Sequence, residues 1–277
     1  MRIDSHQHFW NYNSEKHSWI GKEMAVIKRD FLPEDLEPIL EKNNIDGSIA
    51  VQVEASEADT DFLLELASRF DFIKGVVGWL DLRADDLEEK LEHYCSFPVL
   101  KGIRHTVYDT RGEFLLNPLF QRGLRKFQKY GLSFDLLVFP YQLRSAVELA
   151  QKLPQQQFVL NHLAKPNISK GVNVEWINGI RQLAECKNVY AKLSGMVTET
   201  DRFQWKQEDF QPFLEAMVEA FGTDRLMFGS DWPVSTCAAA YEETLGIVEK
   251  FFKAFSGTEK EAVFGGNAAR FYRLSGT

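Results

Sequence analysis

Two histidines with one residue between them lie near the start of the chain, in the segment DSHQHF of residues 4–9. This segment has no helical period and is typical of a strand, where residues two apart project from the same face. His6 and His8 are therefore predicted to point the same way, together with Asp4. An isolated pair of this kind is more often solvated than functional, so its meaning depends on partners supplied by other parts of the chain.

Candidate partners lie at the ends of other apolar segments. Arg104 and His105 end VLKGIRHT, His162 follows QFVLN, and Asp231 follows RLMFGS. An arginine in an apolar strand must be paired or face a polar cavity, because burying its charge unpaired is costly. A single histidine there could be a hydrogen-bonded core residue, and Asp231 could form a turn before the nearby proline. Together, imidazoles and a carboxylate suit a divalent metal such as zinc, or a water activated by a base.

The elements that would position these residues alternate along the chain. Apolar segments rich in Val, Ile, Leu and Phe cover residues 2–9, 47–54, 72–82, 99–107, 132–139, 157–164, 188–195 and 225–233. Each is followed by a segment of helical spacing, and few alternate cleanly, as expected of strands buried on both faces. This repeated alternation predicts a parallel (β/α)8 barrel, the TIM barrel. An open doubly wound sheet is the alternative, but no Gly-rich phosphate loop follows the first strand.

In such a barrel the carboxyl ends of the strands share one rim, where barrel enzymes keep their active sites. The candidate residues above are all predicted to lie on that rim. Two long connections, residues 10–30 and 196–209, follow the first and seventh strands and are expected to lie over it. Together with residues 108–117, they are expected to decide which substrate is accepted.

Composition narrows the class of protein. No linker or low-complexity tract divides the chain, so residues 1–277 are predicted to form one domain. The net charge of −8 argues against a nucleic-acid surface. No apolar run approaches the ~18–20 residues of a membrane span, and no signal-peptide pattern opens the chain. Three cysteines without C-x-x-C spacing favour a reduced, cytoplasmic setting.

Several motifs of this chain, taken together, resemble the amidohydrolase superfamily. They are DSHQHFW, KGIRH, NHLAKP, FGSDWPV and the closing FGGNAARFYRL. As a set they are most similar to the branch that contains the sugar lactonases, which act on L-fucono- and L-rhamnono-lactone and on pyrone dicarboxylate lactone. The resemblance extends from residue 3 to about residue 273. It implies a single TIM barrel with an extra C-terminal helix.

The resemblance also bears on the metal. Binuclear members carry a bridging lysine or glutamate at strand four and histidines at strands five and six, whereas this chain has Arg104 and His105 at strand four and no histidine in strand five. A binuclear centre is therefore not expected. The ligands of a single ion, zinc by preference, would be His6, His8, His162 and Asp231. Members of the lactonase branch also work without a required metal, so both alternatives stay open.

The implied reaction is hydrolysis of a lactone, an internal ester of a sugar acid. The expected catalytic residues are Asp231, His162, His105 and Arg104. Asp231 would act as general base on water, while the arginine and the histidines would stabilise the oxyanion. The expected substrate-binding residues are Trp10, Trp232, Lys165 and Lys192. The tryptophans would face the sugar ring, and the lysines would hold hydroxyls or the carboxylate that ring opening produces.

Two other functions stay open at this point. Zinc-dependent decarboxylation of an aromatic or muconate-type acid uses a similar set of H-x-H, histidine and aspartate, and Arg104 could hold the acid. A non-catalytic sugar-binding barrel is the third alternative, although a binder has little use for a general base beside three histidines. Asp231→Asn separates these cases, because it should abolish turnover in an enzyme and leave ligand binding largely intact in a binder.

Overall fold

A computed structural model describes residues 1–106 and 113–274. Its strands are β1 (Ile3–Gln7), β2 (Gly47–Val51), β3 (Ile73–Gly78), β4 (Leu100–Thr106), β5 (Ser133–Leu137), β6 (Phe158–Leu160), β7 (Val189–Leu193) and β8 (Leu226–Phe228). Every strand lies inside one of the apolar segments predicted from the sequence. The loop at 108–117, expected to influence specificity, lies partly outside the described residues.

Helices follow the strands around the outside. They are α1 (Pro33–Lys42), α2 (Glu57–Arg69), α3 (Leu87–Tyr94), α4 (Glu113–Leu116), α5 (Pro118–Tyr130), α6 (Leu143–Lys152), α7 (Val174–Glu185), α8 (Gln207–Phe221), α9 (Tyr241–Phe251), α10 (Gly257–Glu261) and α11 (Asn267–Tyr272). Local sequence explains where they begin. Pro33 occupies the first turn of α1, and the Ser56 hydroxyl accepts the Asp59 N–H at the start of α2.

The strands form one parallel sheet in the order β1 to β8, which nearly closes into a barrel. The seam between β8 and β1 is joined by a single bridge, between Gln7 and Trp232. Backbone hydrogen bonds continue it: His8 N–H donates to Trp232 O at 2.7 Å, and Asp231 N–H donates to His6 O at 2.8 Å. The predicted (β/α)8 fold is therefore confirmed, with the H-x-H pair and Asp231 facing each other across this seam.

The C-terminal helix fills one end of the barrel. Ile49, Val77 and Met227 of the strands pack in one buried cluster with Phe271 and Leu274. Lys101, at the start of β4, donates to Arg273 O at 3.3 Å, so α11 covers the amino ends of the strands. The carboxyl ends are left for the cavity described below.

One helix differs from the sequence-based expectation. The sequence analysis predicts one extra helix at the C-terminus, whereas the structure interrupts it: α10 and α11 are separated by a π-helical segment at Ala262–Gly266. A Cβ at Gly265 would lie 2.1 Å from Met1 O, so the glycine lets the start of the chain pass close to this turn. Within the described ranges, no helix is both long and apolar enough to cross a bilayer.

Candidate active site

Four of the predicted residues meet at the carboxyl ends of the strands. The Nε2 atoms of His6 and His8 lie 3.2 Å apart. Asp231 Oδ1 lies 3.3 Å from His8 Nε2 and 3.8 Å from His6 Nε2. His162, in the turn after β6, places its Nε2 3.7 Å from the same oxygen. All four side chains are buried, so the structure brings them together as the sequence predicted.

Unusual backbone angles aim two of these residues at one another. Asp231 has a φ of 58°, and residues 162–165 have φ between 51° and 61°. Residues other than glycine rarely adopt this left-handed backbone region. Its conformational cost is tolerated only where the surrounding structure fixes the backbone. Here the Asp231 N–H is bonded to His6 O, and the Asn161 N–H donates to Leu136 O at 2.9 Å. Both turns are therefore tied to neighbouring strands.

The Nδ1 atoms of the three histidines, which point away from Asp231, also have hydrogen-bond partners. His8 donates from Nδ1 to Val51 O at 2.6 Å. Because a carbonyl oxygen only accepts, this bond leaves the Nε2 lone pair of neutral His8 directed into the site. His162 Nδ1 lies 2.9 Å from Ser194 Oγ, and His6 Nδ1 lies 3.1 Å from Lys192 Nζ. The rings are thus oriented before any ligand arrives.

At neutral pH the site combines neutral imidazoles with an ionised carboxylate. Burial, followed by the charge of Lys192, lowers the pKa of His6 well below 6.5. Burial is also the main reason that the pKa of His162 falls to about 3. Burial alone would raise the pKa of Asp231, but His162 and His8 hold it at about 2. These are the protonation states in which imidazole and carboxylate bind a metal.

Lys192 lies beneath His6 and does not line the cavity. Its Nζ donates to Asp135 Oδ2 at 2.6 Å, and both side chains are fully buried. Asn161 Nδ2 donates to the same oxygen at 2.9 Å, and Tyr272 Oη donates to Asp135 Oδ1 at 3.2 Å. Sequence reasoning missed Asp135. Its signal was available, because a carboxylate in the apolar strand LSFDLL requires a buried partner.

Arg104 and His105 face opposite sides of β4. One Arg104 amino group donates to Gln52 O, and NH1 lies 3.4 Å from His6 Nε2. His105 instead packs against Phe114 at 5.6 Å between ring centroids, and its Nε2 donates to Leu80 O at 2.6 Å. Adjacent strand residues alternate between faces, so the structure brings Arg104 to the site and leaves His105 among aromatic side chains. This departs from the predicted catalytic set.

A cavity of about 590 Å³ opens above the four buried residues. Trp10 and Lys165, both predicted to bind substrate, line it. Glu54 and Phe139 line it too. They were not among the predicted site residues, although each is the last residue of a predicted strand segment. Trp19, with 41% of its surface exposed, stands at the mouth.

The other two predicted substrate contacts, Trp232 and Lys192, do not line the cavity. The Trp232 ring packs edge-on against Phe9 and Phe31, at centroid distances of 6.1 and 5.3 Å, and is not among the cavity-lining residues. Lys165 forms an ion pair with Glu199. This pair joins the loop after β6 to the loop after β7, so the lysine is held in place at the cavity wall.

The donor atoms fit one divalent metal ion. His6, His8 and Asp231 each offer one ligand atom, all within 4.8 Å of one another. Tetrahedral zinc with nitrogen and oxygen ligands separates its ligand atoms by about 3.4 Å. The distances of 3.2, 3.3 and 3.8 Å among these three atoms are close to that spacing.

A (β/α)8 barrel with an H-x-H pair, a further histidine and an aspartate at its carboxyl rim is typical of a class of barrel enzymes whose site is suited to a metal. Within that class, the chain belongs to the amidohydrolase family, whose model, described as "Amidohydrolase", matches residues 3–274. The predicted superfamily is therefore confirmed.

Comparison with individual relatives shows which members of the family the chain is similar to. The chain is 38% identical to the L-fucono-1,5-lactonase of Burkholderia multivorans, over 99% of this chain and 96% of that protein. A crystal structure of an amidohydrolase from Burkholderia multivorans with bound zinc superposes with a TM-score of 0.95 at 40% identity, covering 99% of each chain. The 2,6-dihydroxybenzoate decarboxylase from Rhizobium has a TM-score of 0.70 at 13% identity over 99% of each chain, a likeness of fold alone. The predicted resemblance to sugar lactonases is confirmed, and the decarboxylases are more distant.

Proposed function

We propose that the protein hydrolyses the lactone of a sugar acid, with L-fucono-1,5-lactone as the first substrate to test. The observation that carries this proposal is an ionised Asp231 within 3.3–3.8 Å of three imidazole nitrogens at the base of a cavity. A volume of about 590 Å³ is suitable for a small organic ligand. The full-length similarity to an L-fucono-1,5-lactonase supports the substrate class.

Asp231 acts as the general base. Its carboxylate takes a proton from water while the water oxygen attacks the lactone carbonyl carbon. The bond between that carbon and the ring oxygen then breaks, and the protonated Asp231 returns its proton to the departing alkoxide. One water is consumed, and the product is the open-chain hydroxy acid.

A single divalent ion would be held by His6, His8 and Asp231, with His162 beside them. When bound, such an ion supplies a Lewis acid that polarises the lactone carbonyl and makes water more acidic. The oriented, neutral imidazole of His8 supports this assignment, and so does the bound zinc in the related Burkholderia multivorans structure. Zinc is therefore the metal to test first.

We assign stabilisation of the developing oxyanion to Arg104, which lines the cavity and is anchored by Gln52 O. An arginine held in this way offers fixed donors without reorganisation during the reaction. His105 is left out of this assignment because its ring faces the aromatic side chains on the other side of β4.

The cavity walls supply contacts to the sugar. The exposed Trp19 offers a flat apolar face for the C–H face of a sugar ring, and the buried Trp10 packs against it at 6.1 Å between ring centroids. Glu54 carries a carboxylate that can accept bonds from hydroxyls, and it is held by Lys16 at 3.1 Å. Lys165, fixed by Glu199, lies where it can bind the carboxylate formed on ring opening.

The test is a pH-indicator assay on L-fucono-, L-rhamnono-, D-galactono- and L-galactono-lactones, with native protein before and after chelator treatment. We expect proton release from at least one lactone. Asp231→Asn should lower kcat by about 10²–10⁴-fold, the usual contribution of a general base. Loss of activity with chelator, restored by zinc, would support the metal assignment.

The same assay can overturn the proposal. If no lactone is hydrolysed while 2,6-dihydroxybenzoate loses carbon dioxide, the protein is a decarboxylase. If lactones bind equally to native protein and to Asp231→Asn without turnover, it is a sugar-binding barrel. Activity that survives complete zinc removal would reject the metal and keep the lactonase.

We also propose a cytoplasmic setting for this activity. Cys95, Cys186 and Cys237 are all free thiols, as is usual in a reducing compartment. Fractionation of the cells that produce the protein would test this placement.

A further inference from the structure

The seam between β8 and β1 separates the residues of the candidate metal site. His6 and His8 lie on its β1 side and Asp231 on its β8 side. Elsewhere in the barrel, neighbouring strands are joined by three or more registered residue pairs, whereas this seam has the single Gln7–Trp232 bridge. The spacing of the ligands therefore depends on whatever else fixes the two chain segments relative to each other.

A fully buried carboxylate spans this seam. Asp4 Oδ1 accepts the backbone N–H of Ser230 at 2.9 Å and the backbone N–H of His6 at 3.1 Å. Its Oδ2 accepts the Tyr241 hydroxyl of α9 at 3.1 Å. One side chain thus bonds a ligand residue on β1 and the residue immediately before the ligand on the β8 side.

The Asp4 side chain points in a different direction from those of His6 and His8. The register between β1 and β2 shifts between Asp4 and Gln7. Asp4 consequently turns towards Tyr241, while His6 and His8 face each other at 3.2 Å. The sequence predicted that all three would point the same way, and this irregularity is the reason that Asp4 has a separate role.

The segment that Asp4 holds is the one that needs support. Asp231 has a φ of 58°, and three successive backbone amides fix this turn. The Ser230 N–H is bonded to Asp4, the Asp231 N–H to His6 O, and the Trp232 N–H to Ser230 Oγ at 3.0 Å. Among these acceptors, Asp4 is the ionisable side chain that also binds the β1 strand.

We propose that Asp4 is a positioning residue that sets the distance between the H-x-H pair and Asp231 across the seam, and thereby the affinity of the site for its metal. This inference rests on the metal assignment in the proposed function. Asp4 reaches the ligands through their backbone and lies outside the cavity lining, so its effect is on ligand spacing rather than on the substrate.

The experiment measures zinc affinity by chelator competition in the absence of substrate, for the full chain and its variants. Asp4→Leu removes the acceptors while keeping the branching of the side chain, and should raise the zinc dissociation constant by about 10- to 100-fold, as for residues that orient metal ligands. Asp4→Asn keeps an oxygen for the two backbone amides and can donate to Tyr241, so it should stay within about threefold of native. The visible spectrum of the cobalt-substituted protein should change in Asp4→Leu and not in Asp4→Asn.

Ser5→Ala is the matched control. It removes another bond across the same seam, Ser5 Oγ to Phe228 O at 2.6 Å, without touching Ser230 or Asp231. Native-like zinc affinity in Ser5→Ala supports the proposal. An equal loss in Ser5→Ala and Asp4→Leu would overturn it, because any loosening of the seam would then suffice. A loss in Asp4→Asn equal to that in Asp4→Leu would also overturn it.

If Asp4→Leu does not fold, Asp4→Ser takes its place, since its shorter side chain does not reach the Ser230 amide. Native protein that binds no zinc would overturn both the metal assignment and this inference. Zinc binding that responds to Asp4 as expected, without hydrolysis of any lactone, would reject the proposed substrate class and leave the role of Asp4 intact.

Discussion

Asp231 and Arg104 owe their properties to the residues around them. The pKa of Asp231 is held at about 2 by His162 and His8 although burial would raise it. Arg104 is anchored by Gln52 O and lies 3.4 Å from His6 Nε2. Both groups are therefore charged and fixed before substrate enters, which is the condition for electrostatic stabilisation of a transition state.

His105 gives a prediction at this scale. His105→Leu should leave kcat/KM within about threefold of native, because the ring lies outside the cavity. It should lower the free energy of unfolding by about 1–3 kcal/mol, since the buried Leu80 carbonyl loses its donor. Urea denaturation and the lactone assay measure the two effects.

The adjacent residue is the contrast. Arg104→Met should lower kcat by about 10²–10³-fold, the usual effect of removing an oxyanion donor. A loss of 100-fold or more in His105→Leu, with the protein folded, would restore His105 to the catalytic set.

At the scale of elements, the start of α2 shapes one wall of the cavity. Asp59 Oδ2 accepts the Val53 N–H at 2.8 Å and the Glu54 N–H at 3.3 Å. These bonds fold the loop after β2 back onto the helix and fix the backbone that carries the Glu54 carboxylate. A residue outside the cavity thus determines where a cavity-lining carboxylate lies.

Asp59 also makes stability depend on pH. Burial raises its pKa from 3.8 to about 6, with the charge of Glu54 adding to the rise while the Val53 amide and Arg104 oppose it. Between about pH 4 and 6 the folded state holds a proton that the unfolded state has lost, so this group's stabilisation is present below that range and is lost as pH rises through it. Asp59→Asn should therefore gain stability relative to native from pH 4 to 6.5, by at most about 3 kcal/mol.

Urea denaturation at several pH values tests this expectation. The control is Glu65→Gln. Glu65 lies at an exposed position of the same helix, and its carboxylate is 3.6 Å from the Arg69 guanidinium. A difference between Asp59→Asn and native that stays constant across the range would show that Asp59 does not titrate there.

At the scale of the whole molecule, residues distant in sequence form one buried polar group inside the barrel. Asp135 of β5 binds Lys192 of β7 at 2.6 Å, and Tyr272 of α11 donates to the same carboxylate. Lys192 in turn lies 3.1 Å from His6 Nδ1. The C-terminal helix and the first strand are thereby connected through a charge pair that the surrounding core excludes from water.

This pair should show strong coupling. Lys192→Met leaves Asp135 as an unpaired buried charge and should lower the free energy of unfolding by about 3–5 kcal/mol. Lys192→Met with Asp135→Asn removes both charges, retains an oxygen acceptor, and should recover about 2 kcal/mol of that loss. Urea denaturation of the single and double variants measures the difference.

Lys152→Met is the control for this cycle. It breaks a pair of similar length, 2.7 Å to Glu148, on an exposed helix face, and should cost about 0.5 kcal/mol or less. A double variant that is no more stable than Lys192→Met would show that the buried charge is not the source of the loss.

The sequence was sufficient for the barrel and for the main residues of the site. Repeated apolar segments and helical spacing are local patterns, and the carboxyl ends of parallel strands must share a rim. His6, His8, His162, Arg104 and Asp231 were therefore placed together without knowledge of any contact. The resemblance to amidohydrolases rested mainly on the same strand ends, together with the closing segment FGGNAARFYRL.

Only the tertiary structure decided which faces these side chains occupy and which partners they have. His105 lies outside the site because neighbouring strand residues alternate between faces. Asp4 points away from the histidines because the register between β1 and β2 shifts. Lys192 pairs inside the barrel with Asp135, which is 57 residues away in the chain. Side-chain direction and buried charge pairing depend on contacts between distant segments, so local spacing alone does not determine them.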